Sequence, residues 1–308
     1  MVEVISVSAG NITFIGAGEE LFITEARLRK ATDEDVEAEK EIVEINGEKL
    51  VFGEGKFEND TIKYLKENYM KLLHYTIAKT ASQDIVNLVI DIPGGQYNAH
   101  HKKMKDKIMD NNTIDLKING ELKKIVIADV WIQPEGYASF KVAQAQNLGA
   151  DKLIPNTASL IFNIGGGTSD LVFIDENGKY DKADSIHTGL LDLYGKVVSE
   201  LESKHDYYKV TVEDAKEYFR GNKKSHKIKG TSFKIQPTED TFDDIYNDLK
   251  RKAPDVEHRN IYLIGGGAEV FGNKLTEKLP QTITVTDIAM DAKAMKVLGG
   301  AKKWSNQK

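Results

Sequence analysis

The sequence predicts an α/β protein made of two related domains. Each half of the 308-residue chain opens with two apolar strands joined by a short polar turn, and each later carries a strand followed by a helix. The opening turn of the second half lies in FNIGGGTSDLVFI (162–174), where three glycines separate two apolar runs. Strands and helices mixed in this order are typical of α/β folds, so we expect two such domains with a cleft between them.

The first half begins with a predicted hairpin, whose strands are the apolar runs VEVISV (2–7) and ITFIG (12–16). Two Asn-Gly pairs, Asn46-Gly47 and Asn119-Gly120, lie between alternating runs and predict two further hairpins. The other elements predicted for this half are a helix over 60–82, a buried strand over 85–93 that Pro93 ends, a helix from about Tyr97 and a helix over 136–146.

The second half repeats this organisation without an obvious sequence repeat. Its predicted elements are three strands over 159–180, helices near 189–203 and 211–220, a strand over 260–264 whose glycines open a helix, short strands near 282–287 and a helix over 290–303. The boundary falls near residue 150, which gives domains 1–150 and 151–308, with inserts around 20–80 and 205–258.

Composition excludes several kinds of function. The sequence has no cysteine, which excludes disulfides, thiolate metal sites and cysteine nucleophiles and fits a reducing cytoplasm. A net charge of -6 gives no support for direct, non-specific binding to nucleic acid. The basic runs at 100–107 and 223–230 are interpreted as solvated helix faces or loops. No stretch resembles a signal peptide or approaches 18 apolar residues, so no membrane span is predicted.

Two glycine runs point to a ligand. In GGGTSD (165–170), backbone N–H groups free of side chains can bind anionic oxygen, and a polyphosphate suits the neighbouring hydroxyls and carboxylate. A tight hairpin that needs positive φ explains that run equally well. In LIGGGAEVFG (263–272), the glycines open a helix, whose N-terminus favours negative charge. Neither the dinucleotide fingerprint nor a P-loop is matched. Two such runs, each after a buried strand, are much stronger evidence than one.

These segments carry a family resemblance. FNIGGGTSDLVFI resembles the phosphate-2 hairpin of the actin/Hsp70/sugar-kinase superfamily, and LIGGGAEVFG resembles its adenosine motif. IQPEGYASF (132–140) and MDAKAMKVLGGAKKW (290–304) look like its two connecting segments. The size and the early hairpin are most similar to bacterial plasmid-segregation actins of the ParM type. The resemblance implies an actin-like fold: two related α/β, RNase H-like domains that flank a nucleotide cleft, with small inserted subdomains.

The resemblance also implies roles for single residues. Glu135 would act on the attacking water, and Gln133 would orient that water or simply pack. Taken alone, Glu135 also suits a carboxylate at the N-terminus of a helix just after Pro134. Asp170 would hold hydrated Mg²⁺, and Asn163 would contact it through water.

A larger set is implied for the nucleotide itself. Two turns would bind the phosphates, the second glycine run would lie against the nucleoside, and a later helix would meet the base and ribose, although an exposed helix face explains that last pair as well. The residues are Ser8, Ala9, Gly10 and Asn11; Gly165, Gly166, Gly167 and Thr168; Gly265, Gly266, Gly267 and Ala268; Lys216 and Glu217; and Gly189, where a helix approaches the nucleotide.

Four positions depart from the family pattern. In the first hairpin, Ser6 stands for the metal-facing Asp, Ser8 for a Gly and Thr13 for the phosphate-contacting Lys. Asn163 stands where the phosphate-2 motif begins with Asp, and it carries no charge. These changes weaken Mg²⁺ and phosphate binding, so the resemblance implies nucleotide binding more strongly than fast hydrolysis.

Three functions are compatible with these features. The leading hypothesis is a cytoplasmic protein that binds ATP or GTP with Mg²⁺, polymerises head to tail and moves plasmid or phage DNA. It would contact DNA only indirectly, through a ParR-like DNA-binding adaptor, and no membrane. The second is a small-molecule kinase of the same fold, for which Asp91 is the only apparent catalytic base. The third is a nucleotide-binding scaffold with little turnover.

Overall fold

The computed structural model describes residues 2–58, 62–204, 209–220, 227–234 and 236–304. The chain divides into two compact units, of which unit 1 holds Met1–Gln146 and Ala289–Lys308 and unit 2 holds Asn147–Ile288. The sequence division placed residues 289–308 in the second domain, whereas the described residues 289–304 pack within unit 1. Parts of the predicted helix over 60–82, of the insert at 205–258 and of the basic run at 223–230 lie outside the described residues.

The helices and strands follow the order along the chain. Unit 1 begins with β1 (Glu3–Ala9), β2 (Thr13–Ala17), β3 (Leu21–Glu25), β4 (Leu28–Lys30), α1 (Asp33–Glu37), β5 (Val43–Ile45), β6 (Glu48–Phe52), α2 (Tyr69–Thr80), β7 (Ile85–Ile92), α3 (Gly94–Asp110), β8 (Thr113–Ile118), β9 (Glu121–Pro134) and α4 (Tyr137–Ala145). Unit 2 comprises β10 (Ser159–Ile164), β11 (Ser169–Ile174), β12 (Tyr180–Ile186), α5 (Leu190–Lys204), α6 (Val212–Arg220), β13 (Lys227–Ile228), β14 (Thr231–Ser232), α7 (Gln236–Lys252), β15 (Asn260–Ile264), α8 (Gly267–Lys278) and β16 (Thr282–Thr284). The chain then returns to unit 1 with α9 (Met290–Ala301).

The two units repeat one sheet topology. In unit 1 the strand order is β3-β2-β1-β7-β9, and in unit 2 it is β12-β11-β10-β15-β16. In both, the first three strands are antiparallel neighbours, and the next two join in parallel. The prediction of two related α/β halves is therefore confirmed. The sheet of unit 1 continues beyond β9 with β8-β5-β6-β4.

The strands that carry the site are central and buried. On β1, Ile5 and Val7 are fully buried, and on β7 so are Leu88 and Ile90. Seven of the eight residues of β7 are buried, as expected for a parallel strand covered on both faces. This burial fixes the register of β1 against β7 and holds their carboxyl ends at one edge of the sheet.

The predicted turns occur where the sequence placed them. Asn46 and Gly47 have φ of 51° and 79°, and Asn119 and Gly120 have φ of 49° and 83°. Positive φ at both central residues is the requirement of the type I′ hairpin turn that Asn-Gly favours. Both hairpin predictions are confirmed.

Two helix starts differ from the prediction. The helix predicted from residue 60 begins at Tyr69, after a 3₁₀ turn over Lys63–Leu65. The carboxylate of Glu58 accepts the backbone N–H of Asn68 at 3.2 Å, so the preceding segment folds back instead of continuing the helix. The helix predicted from about Tyr97 already begins at Gly94, because Pro93 occupies the N-cap without needing an N–H donor.

The C-terminal helix α9 packs closely on β1 and β7 through small residues. A Cβ at Gly299 would lie 2.6 Å from Val89 and 2.7 Å from Val4. The Trp304 indole donates to the Gly299 carbonyl at 2.9 Å. Within the described ranges, the helices are too short or too polar to span a bilayer.

Candidate functional site

The turn between β1 and β2 and the turn between β10 and β11 have the same geometry. The Gly10 N–H donates to the Thr13 carbonyl at 2.8 Å, and the Gly165 N–H donates to the Thr168 carbonyl at 2.9 Å. The strand pairing ends at equivalent positions on both sides. Because the two hairpins also hold the same place in their sheets, the residues of one turn can be matched to those of the other.

This match corrects the alignment of the first hairpin. Ser8 is opposite Ile15 just as Asn163 is opposite Asp170, so Ser8, and not Ser6, occupies the position of the first motif Asp. Ser6 lies deeper in unit 1, fully buried, and its hydroxyl donates to the Ala292 carbonyl at 2.5 Å. By the same register, Thr13 corresponds to Thr168 and not to a phosphate-binding lysine.

In unit 2, the start of α5 lies directly on the glycine turn. The N–H groups of Leu190 and Leu191 donate to the carbonyls of Gly165 and Gly166, at 3.0 and 2.8 Å. A Cβ at Gly189 would lie 2.6 Å from the Gly166 carbonyl oxygen. Glycine at this position therefore permits the contact, and the predicted approach of Gly189 to the nucleotide stays a prediction.

The second glycine run packs against the first. Gly265 has φ of 81°, and a Cβ there would lie 2.2 Å from Asn163 Oδ1. A Cβ at Gly267 would lie 2.2 Å from the Ile164 side chain. Three segments of unit 2 therefore lie together: residues 163–168, residues 265–268 and Gly189, which precedes α5. We call this group the glycine constellation, because few side chains cover its backbone.

Asp170 lies beneath this constellation and is fully buried. The Thr168 hydroxyl donates to Asp170 Oδ2 at 3.0 Å, and the Ser185 hydroxyl donates to Oδ1. The carboxylate thus anchors the turn through Thr168. The metal roles of Asp170 and Asn163 stay predictions.

A cavity of about 690 Å³ lies along α5, and Leu191, two residues after Gly189, is the first residue that lines it. Its volume lies within the range of small-molecule sites. Lys216 and Glu217 are not among its lining residues; Lys216 is 1% exposed, and its ammonium lies 3.0 Å from Glu213. Their predicted contact with the base and ribose stays a prediction. The cavity is lined by Leu191, Asp192, Gly195, Lys196, Ser199 and Glu200 on α5 and by Lys234, Gln236, Pro237 and Asp240.

In unit 1, Glu135 and Gln133 lie at the carboxyl end of β9 and are both buried. The Glu135 N–H donates to the Ile92 carbonyl at 2.9 Å, which fixes the residue beside the end of β7. Its carboxylate forms an ion pair with Lys63 from the 3₁₀ turn. Gly136, with φ of 84°, then turns the chain into α4. Glu135 is therefore held by a specific cation, which the sequence did not predict.

Asp91 is the penultimate residue of β7, lies beside the first turn and is 1% exposed. Its Oδ1 accepts the Ala9 N–H at 2.9 Å, and the Ser8 hydroxyl also donates to this carboxylate. Its Oδ2 is buried and has no hydrogen-bond partner among the described residues. Burial raises the pKa of Asp91 well above its usual range, and the nearby Glu135 and Asp291 carboxylates add to the effect.

The side chains of Tyr69 and Asp291 also lie in the part of unit 1 that holds Asp91 and Glu135. The Tyr69 hydroxyl is buried without a partner in the described chain, and burial, with the charges of Asp91 and Glu135, raises its pKa. Asp291 on α9 accepts the N–H groups of Gly136 and Ser139, at 3.0 and 3.2 Å, and so caps α4. Burial raises the pKa of Asp291 as well.

A second lysine contacts the first turn. Lys66 Nζ donates to Asn11 Oδ1 at 2.9 Å and to the Glu58 carbonyl at 2.7 Å. With Lys63, it lines a cavity of about 10 Å³, roughly room for one water molecule, beside Ala9, Gly10 and Asn11. Positive charge therefore reaches this turn from residues 63–66, although Thr13 supplies none.

The site residues are compatible with Mg²⁺ that is held together with phosphate oxygens. Among the described residues, no three His, Cys, Asp or Glu side chains are grouped closely enough to bind a metal ion by themselves. Mg²⁺ in phosphate sites commonly needs only one or two carboxylates and keeps several waters. The unpartnered oxygen of Asp91 fits such a role, so the donor set is compatible with Mg²⁺ that arrives with a nucleotide.

Two family profiles match the chain. Residues 12–137 match the family described as "Actin like proteins N terminal domain", and residues 161–277 match "Archaeal actin homologue MreB-like, C-terminal". No curated protein matches the sequence.

Solved structures match the chain over nearly its whole length. The archaeal actin homologue Ta0583 in complex with ADP has 14% identity and a TM-score of 0.79 and covers 98% of this chain and 100% of its own. A non-polymerisable quadruple mutant of pCBH ParM has 16% identity and a TM-score of 0.78, with the same coverage. The 15-stranded ParM filament from Clostridium botulinum has 15% identity and a TM-score of 0.77 and covers 98% of this chain and 99% of its own. At these identities, the matches establish an actin-like fold.

Proposed function

From the actin-like fold and the two actin-like family profiles, we propose that the chain binds a nucleoside triphosphate, polymerises into filaments and hydrolyses the nucleotide within them. The observation that carries this proposal is the duplicated turn, closed by Gly10 in unit 1 and by Gly165 in unit 2. The turn in unit 2 contains three consecutive glycines, none of them at positive φ, so its backbone conformation alone does not require them. The complexes and filaments of the matched structures support the same function.

The phosphates would be bound by backbone N–H groups of the two turns. The Gly165 N–H closes the turn in unit 2, so Gly166 and Gly167 would present such groups without side chains, and the N-terminus of α8 adds a favourable dipole at Gly267. In unit 1, Lys66 beside Asn11 supplies positive charge at the turn. Positioning and electrostatic stabilisation of this kind provide most of the catalysis in phosphoryl transfer.

Glu135 would orient the water that attacks the terminal phosphate and accept its proton. Its backbone is fixed at Ile92, and its carboxylate is held by Lys63, so the side chain has a defined position. Mg²⁺ bound with the nucleotide would neutralise charge on the phosphates. Since Glu135 is already paired with a cation, we expect hydrolysis to be slow until polymerisation or nucleotide binding changes that pair.

The biological role is inferred from the same family resemblance and from the net charge. A filament that segregates plasmid or phage DNA in the cytoplasm would reach DNA through a separate ParR-like adaptor. The net charge of -6 supports an indirect contact, because a direct one would require phosphate-neutralising lysines and arginines in excess.

The proposal is tested by light scattering and phosphate release after ATP or GTP is added with Mg²⁺. We expect scattering to rise with either nucleotide and phosphate release to follow it. Glu135→Gln should polymerise but release phosphate at least tenfold more slowly. The matched control Glu121→Gln, on the same strand but with its side chain 73% exposed, should behave as wild type. Absence of nucleotide binding would refute the proposal, and formation of the nucleoside diphosphate that needs an added metabolite, without release of free phosphate, would identify a kinase.

A further inference from the structure

The two hairpins share a deficiency. The strand position that would carry the first acidic residue of each turn is Ser8 in unit 1 and Asn163 in unit 2, and neither residue has a charge. In unit 2, Asp170 has hydroxyl donors on both carboxylate oxygens. A hydrated Mg²⁺ that accompanies a nucleotide therefore lacks an obvious carboxylate on the β1–β2 hairpin.

We propose that Asp91 supplies this carboxylate: it receives the hydrated Mg²⁺ of the bound nucleotide from the neighbouring strand β7. The proposal rests on the proposed nucleotide-binding function. It assigns to Asp91 a role different from that of a base for a small-molecule substrate.

The position of Asp91 is equivalent to one where unit 2 has an apolar residue. Val7 is paired with Ile90 on β7, and Phe162 is paired with Leu263 on β15. The next residues along these strands are Asp91 in unit 1 and Ile264 in unit 2. Since the repeated sheet accepts isoleucine here, the fold does not require a carboxylate at this point.

The hydrogen bonds of Asp91 leave one oxygen for a ligand. Oδ1 accepts the Ala9 N–H at 2.9 Å and fixes the carboxylate beside the first turn, while Oδ2 is buried and has no partner within the described ranges. An Asn at this position could accept the Ala9 N–H through its amide oxygen, and it would carry no charge. The charge of Asp91 therefore has no evident structural purpose.

The buried position of Asp91 makes its charge costly in the absence of a cation. Asp91 is 1% exposed, and its Oδ2 has no hydrogen-bond partner in the described part of the chain. Lys63 already forms an ion pair with Glu135. Buried carboxylates are normally paired or coordinate metals. A cation that arrives with the phosphates would give the Asp91 carboxylate the partner that it lacks.

The test compares nucleotide affinity with and without Mg²⁺ in wild type and Asp91→Asn. Binding of a fluorescent ATP or GTP analogue is measured in EDTA and in excess Mg²⁺, and the ratio of the two dissociation constants is the readout. We expect Mg²⁺ to tighten binding to wild type and Asp91→Asn to lose roughly 10- to 100-fold of that gain. Affinity in EDTA should stay the same or improve, because a negative charge beside the phosphates is removed. Asp115→Asn, at an exposed position of β8, is the matched control and should retain the full gain.

The outcomes separate this inference from the proposed function. If wild type binds nucleotide and Asp91→Asn keeps the whole Mg²⁺ gain, the inference is wrong while the function stands. If wild type binds no nucleotide, the proposed function fails first. Restoration of the gain by Ser8→Asp in the Asp91→Asn background would support the inference, because the carboxylate would return to the hairpin. If circular dichroism shows that Asp91→Asn does not fold, Asp91 is a structural residue and the inference is overturned.

Discussion

The ion pair between Lys63 and Glu135 allows the sharpest prediction, because it decides how the proposed catalytic residue can be tested. The two side chains are 8% and 7% exposed. Glu135→Ala would leave a buried ammonium without its carboxylate. A loss of activity in that variant would therefore mix a catalytic effect with a structural one.

The expected magnitude follows from this burial. Removal of one partner of a buried ion pair costs about 3–5 kcal/mol of unfolding free energy, whereas replacement of both by apolar side chains is often close to neutral. Lys63→Met and Glu135→Leu should each be destabilised by that amount, and the double variant should recover most of it. At about 2–4 °C per kcal/mol for a domain of this size, each single variant should melt roughly 10 °C below wild type.

The assay is a double-mutant cycle on thermal or urea unfolding of the nucleotide-free protein. The exposed pair of Lys123 and Glu121, 37% and 73% exposed, provides the control. Its coupling energy should be below about 1 kcal/mol. If Lys63 and Glu135 show a coupling as small as this control, the ion pair does not hold Glu135 in place, and our account of its positioning is wrong.

Three further predictions concern other parts of the molecule. Lys66→Met should weaken nucleotide binding about tenfold in an equilibrium titration, since it removes the ammonium beside Asn11; an unchanged affinity would exclude Lys66 from the phosphate site. Gly189→Ala should lower the free energy of unfolding by about 1–3 kcal/mol, because the new Cβ would lie 2.6 Å from the Gly166 carbonyl; stability equal to wild type in urea unfolding would contradict this packing. Hydrogen bonds from Arg29 hold the pKa of Asp35 well below its usual range, so its carboxylate stabilises the fold above the unfolded pKa, about 3.9, and this contribution is lost as the pH falls toward the folded value. The difference in melting temperature between wild type and Asp35→Asn should therefore shrink between about pH 5 and about pH 3, and a difference independent of pH would refute the assignment.

The sequence predicted features whose physical cause is local. Asn46-Gly47 and Asn119-Gly120 were predicted as turns because positive φ is a requirement of those residues themselves. The glycine runs at 165–167 and 265–267 are predicted to adjoin a ligand because glycine leaves backbone N–H groups free of side chains, and this contact stays a prediction. The structure adds that Gly265 and Gly267 also permit contact with the first run.

What the sequence could not predict depends on contacts between distant residues. Lys63 lies 72 residues from Glu135, and Ala9 lies 82 residues from Asp91. Nothing in VIDIP distinguishes a strand carboxylate from a ligand-binding one until the register of β7 against β1 is known. The misplacement of Ser6 had the same origin, since a motif alignment cannot see which serine faces α9.

The proposal that the closed turns bind nucleotide is tested most directly by hydrogen–deuterium exchange. Exchange is compared for the protein alone and with Mg²⁺ and a slowly hydrolysed analogue of ATP or GTP. We predict slower exchange in peptides that cover residues 8–13 and 165–168, and also at 265–268, with little change around the distant Asn46-Gly47 turn. Protection confined to one of the two turns, or absent from both although the analogue is bound, would contradict the account.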